Sequence, residues 1–417
     1  MIILTVLVSF LNLLQPSASD SLSLQACYQL AQKNYPTAKK IELQQKITEL
    51  NTRVANTRYF PQIELNGKAT YQSEVTNIGP MGPSISKDQY QLGLDVTEPI
   101  YSGGAIGIQK KLEQAKGRQE VNSVYVDLHK LREQVNQVYF GILLSQKQSQ
   151  TEELLMKNLR QQLQTVRSQV KNGALLPSQA HVLKAELIKA NQDSAEIQSN
   201  IQAGYQVLGE LIGKDVSTDI DLSLPNVNPN LTGSIQRPEY DLFQSTKHTL
   251  DYQKQLIQAG KYPKLAAFGS AAYGRPGYNF LNNDFHDFYI VGLKLSWNFW
   301  DWSNASDKQM ALTIQQQTVE QNKKAFTRQV QAALDRIRAQ IASLKQNIDR
   351  DSDIIDLREQ VVQETASQLK NGVVTATEYV TVLTKANQAK LALEIHKVQL
   401  RQAQIDLETT LGNSIEP

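Results

Sequence analysis

The sequence predicts an α+β membrane protein built from a duplicated unit, two short strands followed by a long helical hairpin. Three observations lead there: an internal repeat, paired windows of two-residue alternation within each repeat, and long stretches of heptad-like spacing after them.

The repeat is visible without gaps over its second part. SQVKNG at Ser168 to Gly173 recurs as SQLKNG at Ser367 to Gly372, and the same offset of 199 pairs Leu208 with Leu407 and Gly213 with Gly412. Upstream, Asp88, Tyr90, Gly93 and Leu94 fall on Asp287, Tyr289, Gly292 and Leu293 at 199, whereas Pro61, Gly67, Ala69 and Tyr71 fall on Pro263, Gly269, Ala271 and Tyr273 at 202. A single three-residue length change reconciles the two. The implied organisation is a first repeat over 20–218, a Pro- and Asn-rich linker over 219–236 and a second repeat over 237–417.

Within each repeat the strands alternate. Tyr289, Val291, Leu293 and Leu295 are apolar while Gly292, Lys294 and Ser296 between them are small or polar; Tyr90, Leu92, Leu94 and Val96 alternate in the same way with Gln91, Gly93, Asp95 and Thr97. The windows after Pro61 and Pro263 behave alike. Strands are expected at about 61–74, 88–100, 263–275 and 287–300, each near the ten residues that a tilted strand needs to cross a bilayer. Aromatic residues gather at their ends, at Tyr59, Phe60, Tyr101, Tyr262, Phe299, Trp300 and Trp302, as membrane-interface girdles do. A soluble half-buried sheet would show the same alternation.

After the strands the period changes. Val121, Val124, Leu128, Leu131, Val135, Val138 and Ile142 keep a 3,4 spacing, as do Val330, Leu334, Ile337, Ile341, Leu344 and Ile348. Helices are expected at about 21–58, 105–171 and 177–212, then 238–260, 304–370 and 376–411. A helix over 105–171 is roughly 100 Å long at about 1.5 Å per residue, about three times the hydrocarbon thickness of a membrane. The chain reverses at Asn172-Gly173 and Asn371-Gly372, where glycine accepts the left-handed conformation that ends a helix. Small residues on the return helices, Ala190, Ser194 and Gly204, then Ala386, Ala389 and Ala403, permit close approach.

Residues 1–19 read as a secretory signal peptide, an apolar run from Ile2 to Leu14 before Ser17, Ala18 and Ser19, although no Lys or Arg precedes it; a buried N-terminal element is the alternative. Cys27 is the single cysteine, which excludes an intramolecular disulfide and suits a buried helix position better than a lipid anchor. With 43 Lys+Arg against 41 Asp+Glu, nothing in the charge balance calls for nucleic acid. Past residue 20 no apolar stretch reaches the roughly 18 to 20 residues of a spanning helix, so a membrane role must use strands. Four strands cannot close a transmembrane barrel, and an open edge in lipid leaves backbone groups unpaired, so subunits must pool strands; a dimer, trimer or tetramer would each satisfy that count.

Enzyme motifs are missing: no HExxH, P-loop or GxSxG occurs, and His129, His181, His248, His286 and His396 stand singly. Gly103-Gly104-Ala105-Ile106-Gly107 lacks the phosphate-binding spacing, and its duplicate is Trp302-Ser303-Asn304-Ala305-Ser306. No catalytic residue, metal site or cofactor is expected. A periplasmic coiled-coil adaptor or a structural scaffold is the rival reading.

The Pro-led strands at Pro61 and Pro263, the strand exit Glu98-Pro99-Ile100-Tyr101-Ser102-Gly103-Gly104 and the duplicated SQVKNG and SQLKNG turns together resemble the TolC-like outer-membrane efflux proteins over essentially the whole mature chain. The resemblance implies a homotrimer in the outer membrane of a Gram-negative-type envelope. Its four strands per subunit would share a 12-stranded β-barrel continuous with a long α-helical coiled-coil barrel in the periplasm. It implies the exit duct of a tripartite efflux or type I secretion system, passively conducting substrates and docking onto a periplasmic adaptor coupled to an inner-membrane transporter. The docking tips would be Asn172, Gly173, Ala174, Leu175 and Leu176 with Asn371, Gly372, Val373 and Val374, the apolar Leu175, Leu176, Val373 and Val374 being exposed. In the family, acidic residues six and nine positions past the second turn glycine line a periplasmic constriction. Those positions hold Glu378, which fits a ring of three carboxylates that favours cations and binds divalent ions, and Thr381, which departs from the pattern and leaves one ring in place of two.

Overall fold

A computed structural model of the chain describes residues 21–76, 79, 85–227 and 233–413. The signal-peptide segment 1–19 and part of the 219–236 linker lie outside the described residues. The elements run α1 (Leu24–Asn34), α2 (Pro36–Thr57), β1 (Gln62–Tyr71), β2 (Asp88–Tyr101), α3 (Ala105–Lys171), α4 (Pro177–Ile212), α5 (Pro238–Ala259), β3 (Lys264–Arg275), β4 (His286–Ser296), α6 (Asn304–Lys370) and α7 (Ala376–Leu411).

Two expectations change. The helix expected over 21–58 is two helices, because Pro36 supplies no amide to continue the ladder and holds Tyr35 in an extended conformation. The strand expected to reach residue 300 ends at Ser296, so Trp297 to Trp302 form a connection.

The chain divides into two compact units. One comprises Lys39–Val126 and Pro238–Arg328, hence the sheet with the helical segments beside it; the other takes the remaining described residues. α3 and α6, 67 residues each, contribute to both.

In the sheet unit the four strands form an antiparallel meander ordered β1-β2-β3-β4. Gln62 faces Thr97 and Tyr71 faces Asp88 in the first hairpin, while Lys264 faces Ser296 and Tyr273 faces Asp287 in the second, so the two hairpins share one register at the repeat offsets. β2 and β3 join them, with Leu94 opposite Ala271 and Val96 opposite Gly269. Gly117 packs so closely on α2 that a Cβ would lie within 2.0 Å of Thr48 Oγ1.

In the hairpin unit one core gathers Cys27 and Ala31 of α1, Val135, Tyr139, Phe140 and Ile142 of α3, Tyr205, Leu208 and Ile212 of α4, and Val398 and Ile405 of α7. Gly204 permits the α3–α4 contact, since a Cβ there would meet Ile142 Cγ1 at 2.7 Å. Cys27 is fully buried, and burial pushes its thiol up to about 12, which leaves it unreactive at neutral pH. The start of the expected linker is part of this core: Leu22 bridges Leu222, which is buried, and Tyr139 Oη lies 2.8 Å from the Leu22 carbonyl and 2.7 Å from that of Ser223. A second core joins the two hairpin ends, with Leu159, Leu163, Val166 and Leu183 packed on Leu369, Ala376, Tyr379 and Leu383.

The 3,4 pattern explains the long helices. Val124, Leu131, Val135 and Ile142 on α3 and Val330, Leu334, Ile337, Ile341 and Leu344 on α6 are buried, giving each helix a continuous apolar stripe. No described helix is long and apolar enough to cross a membrane.

Candidate functional site

Two surfaces carry the features that the sequence singled out, and they belong to different units. The first is the sheet. Strand pairing places Ile63, Leu65, Ala69 and Tyr71, then Tyr90, Leu92, Leu94 and Val96, then Leu265, Ala267, Ala271 and Tyr273, then Tyr289, Val291, Leu293 and Leu295 on one face. Ile63, Leu65, Val291, Leu293 and Leu295 are each about 70% exposed, an apolar patch far beyond isolated surface leucines. The opposite face carries Glu64, Asn66, Lys68, Thr70, Gln91, Asp95, Thr97, Ser270 and Lys294. Asn66 donates to the Asp95 carboxylate there, so the polar face is hydrogen-bonded as well as polar.

The meander brings all seven sequence-identified aromatics to one end of this sheet. Tyr59 and Phe60 precede β1, Tyr101 ends β2, Tyr262 precedes β3, and Phe299, Trp300 and Trp302 follow β4; all are exposed. Sequence reasoning missed a second aromatic group at the other end. Phe285 stacks on Tyr90 at 6.1 Å and Tyr273 at 6.0 Å, and Tyr278 meets Phe288 at 5.0 Å. The signal for it lay in the loop Tyr278, Phe280 and Phe285, which is rich in aromatics but has no duplicate in the first repeat.

The second surface is the pair of hairpin turns. Gly173 and Gly372 take φ of 75° and 71° and end α3 and α6. The turns are tied together by side chains: Gln169 Nε2 donates to the Lys370 carbonyl at 2.7 Å, and the Ala376 amide donates to Gln179 Oε1 at 2.5 Å. Asn172, Gly173, Ala174, Asn371 and Gly372 are exposed, as are Leu176 and Val373, at 68% and 71%. Leu175 and Val374, expected to be exposed, are half-buried against the core between the hairpin ends, because the left-handed glycines turn the second residue after them inward. Only one large apolar residue per turn, Leu176 or Val373, is presented to solvent.

Glu378 is exposed on the first turn of α7 and closes a capping box with Thr375. Its Oε2 accepts from the Thr375 amide at 2.7 Å and hydroxyl at 3.1 Å, while its own amide donates to Thr375 Oγ1 at 3.2 Å. Thr381 is exposed and its hydroxyl donates to the Thr377 carbonyl at 2.8 Å. A carboxylate held in a cap has one fixed oxygen, which positions it but leaves fewer lone pairs for an ion.

Sequence reasoning missed a polar cluster in the hairpin unit. Tyr28 Oη donates to Asn136 Oδ1, Asn136 Nδ2 donates to Thr409 Oγ1 at 3.0 Å, and the Arg132 guanidinium lies 4.6 Å over the Tyr28 ring. Burial, with Glu133 nearby, pushes Asp406 up to about 6, whereas the hydrogen bond from His129 and the neighbouring Arg237 hold Glu133 below the usual carboxylate range. These residues are scattered through the chain, and only their packing makes them a site.

Comparison with known proteins gives this geometry counterparts. The sequence model of the outer membrane efflux protein family matches residues 27–214. A search of curated proteins gives no significant match. Among solved structures, the outer membrane protein VceC of Vibrio cholerae superposes with a TM-score of 0.75 at 14% identity, covering 94% of this chain and 97% of that one. CusC superposes with 0.74 at 15% identity, covering 94% and 92%, and the CmeC outer membrane channel of Campylobacter jejuni with 0.70 at 12%, covering 94% and 87%. At such identities the likeness speaks for the fold. Residues 27–214 thus resemble the outer membrane efflux protein family, and the chain as a whole carries the fold of these outer-membrane channels.

Proposed function

We propose that the chain is one subunit of a homotrimeric outer-membrane channel, the exit duct of a tripartite efflux or type I secretion system, through which substrates pass passively. The observation that carries this reading is the apolar face running unbroken across four strands whose outer members, β1 and β4, end the sheet. In water such a face costs roughly 25 cal/mol per Å² left exposed, and in lipid its bare edges would cost several kcal/mol per unpaired backbone group. Three copies remove both costs by closing twelve strands into a barrel, with the apolar face toward lipid and the Lys68, Asp95 and Lys294 face toward the lumen. The aromatic groups at both sheet ends then sit at the two membrane interfaces.

On this reading the tips present Leu176 and Val373 to a periplasmic adaptor that couples to an inner-membrane transporter, with Leu175 and Val374 bracing them from behind. Glu378 lines a periplasmic constriction beside Thr381. Its capped geometry predicts that Glu378→Ala weakens divalent block and cation preference in single-channel recordings while the trimer still assembles; unaltered conductance and block would remove Glu378 from the gate.

Density-gradient fractionation with carbonate washing and native mass tests the whole reading. Outer-membrane banding, carbonate resistance and a detergent-solubilised mass three times that of the mature subunit are expected. A carbonate-soluble monomer or dimer would overturn it in favour of the adaptor or scaffold.

A further inference from the structure

In the sheet unit the two repeats treat the groove beside their strand exits differently. In the first repeat Tyr59 lies across the start of α3, with its Oη 3.5 Å from the place that a Cβ on Gly107 would take. At the repeat offsets the second copy has Lys261 for Tyr59, Ser306 for Gly107 and Lys308 for Gln109. There the groove is open. It encloses about 530 Å³ between the end of α5 and the start of α6, bordered by Ile257, Lys261, Trp300, Trp302 and Lys308. That volume is typical of sites that take small ligands.

The charge of this groove is positive. Neither lysine has an ion pair among the described residues, and the one carboxylate on the lining, Asp301, is engaged: its Oδ2 accepts the Ala305 amide at 2.9 Å and caps α6. An anion would complete the balance. The border is apolar as well, since Trp300 and Trp302 meet edge to face at 5.6 Å and are 63% and 84% exposed. Trp297, next after Leu293 and Leu295 in the apolar series of β4, donates its indole N–H to the Lys261 carbonyl at 3.0 Å. The oily face of the sheet therefore runs up to the groove.

We propose that this groove holds the headgroup of an anionic phospholipid, with Lys261 and Lys308 on the phosphodiester and an acyl chain over Trp300 and Trp302 toward the apolar face. A soluble anion would use the lysines but not the exposed indoles beside them. A phospholipid uses both, because its anion and its hydrocarbon are a few bonds apart, and a tryptophan ring with its polar N–H suits that boundary. The inference rests on the outer-membrane reading and adds to it a selected lipid on each subunit, at the end of the sheet from which the helices leave. The first repeat, where Tyr59 and Gln109 stand in place of both cations, has no equivalent.

Trp297, Trp300 and Trp302 are the only tryptophans in the chain, so intrinsic fluorescence reads this place alone. The full chain, reconstituted in phosphatidylcholine vesicles, is titrated with phosphatidylglycerol carrying brominated acyl chains, which quench indoles on contact, and in parallel with brominated phosphatidylcholine. Half-maximal quenching is expected at an about fivefold lower mole fraction of the anionic lipid, the size of one lysine's attraction near a membrane surface. Lys261→Gln with Lys308→Gln should erase that preference, and Lys264→Gln, outside the groove, should keep it. Equal quenching by the two lipids, a preference that survives the double variant, or one that falls as far with Lys264→Gln overturns the site and leaves the channel reading intact. Quenching by neither lipid overturns both. Millimolar inorganic phosphate at matched ionic strength should leave the preference in place; its loss there would assign the lysines to a soluble anion and overturn the lipid.

Discussion

The two hairpin turns are copies of one segment, yet they end differently. After Gly173 the chain runs Ala174, Leu175, Leu176, Pro177, and α4 starts with an exposed leucine at its N-cap and no side-chain cap. After Gly372 it runs Val373, Val374, Thr375, Ala376, and α7 starts in a complete capping box with Glu378. Backbone and core contacts were retained by both copies, since Leu175 and Val374 both pack inward. The first tip leaves a large apolar side chain in solvent, and the second fixes a carboxylate. Duplication preserves what the fold needs and leaves the exposed positions to diverge.

The core should show the largest and most symmetric effects. Leu208 and Leu407 are counterparts, and both are fully buried. Leu208→Ala and Leu407→Ala are each expected to cost about 2–5 kcal/mol in denaturant unfolding. A difference of more than about 2 kcal/mol between them would show that the repeats are not equivalent even where their burial is the same.

Asp406 breaks the symmetry, since its counterpart in the first repeat is the exposed Val207. Its folded pKa is raised from 3.8 to about 6, so the folded state holds its proton more tightly than the unfolded chain. Stability from this group is present below about pH 4, declines as pH rises from about 4 to 6, and is lost above that. Asp406→Asn should therefore stabilise the protein at pH 7.5 by about 1–2 kcal/mol, allowing for the partial exposure of the group, and change little at pH 4. Melting curves at the two pH values check this; an equal shift at both would assign the effect to packing.

The smallest effects belong to the tips themselves. Thr375→Ala should cost about 1 kcal/mol by opening the capping box, whereas Leu176→Ser should stabilise α4 by a comparable amount through a new cap. Hydrogen exchange at the first amides of α4 and α7 would register both. If adaptor binding falls with Leu176→Ser while the helix gains protection, the leucine is kept for contact at the expense of the cap.

Much of the fold was legible because it rests on short-range rules. Alternation placed the strands, the 3,4 spacing placed α3 and α6, and the glycines at 173 and 372 marked where each hairpin turns. The duplication strengthened each reading by offering it twice. Pro36 was equally readable as a break, since it has no amide to give a helical ladder, and the strand expected to reach residue 300 came from carrying the alternation on into Trp297 and Phe299. Exposure at the tips was less legible, because whether Leu175 or Leu176 faces solvent depends on the angle at which the chain leaves Gly173 and on a core supplied by the other hairpin.

By itself, the sequence determined the repeat, the element types and the one-faced apolar strands, since periodicity is a property of neighbouring residues. Tertiary structure alone decided that the two hairpins join through β2 and β3, and that Leu175 and Val374 turn into the core between the hairpin ends. It alone gathered Tyr28, Asn136, Thr409 and Asp406 from distant parts of the chain. Those outcomes depend on which groups close packing brings within about 3 Å of one another, and no local pattern in the chain encodes such distances.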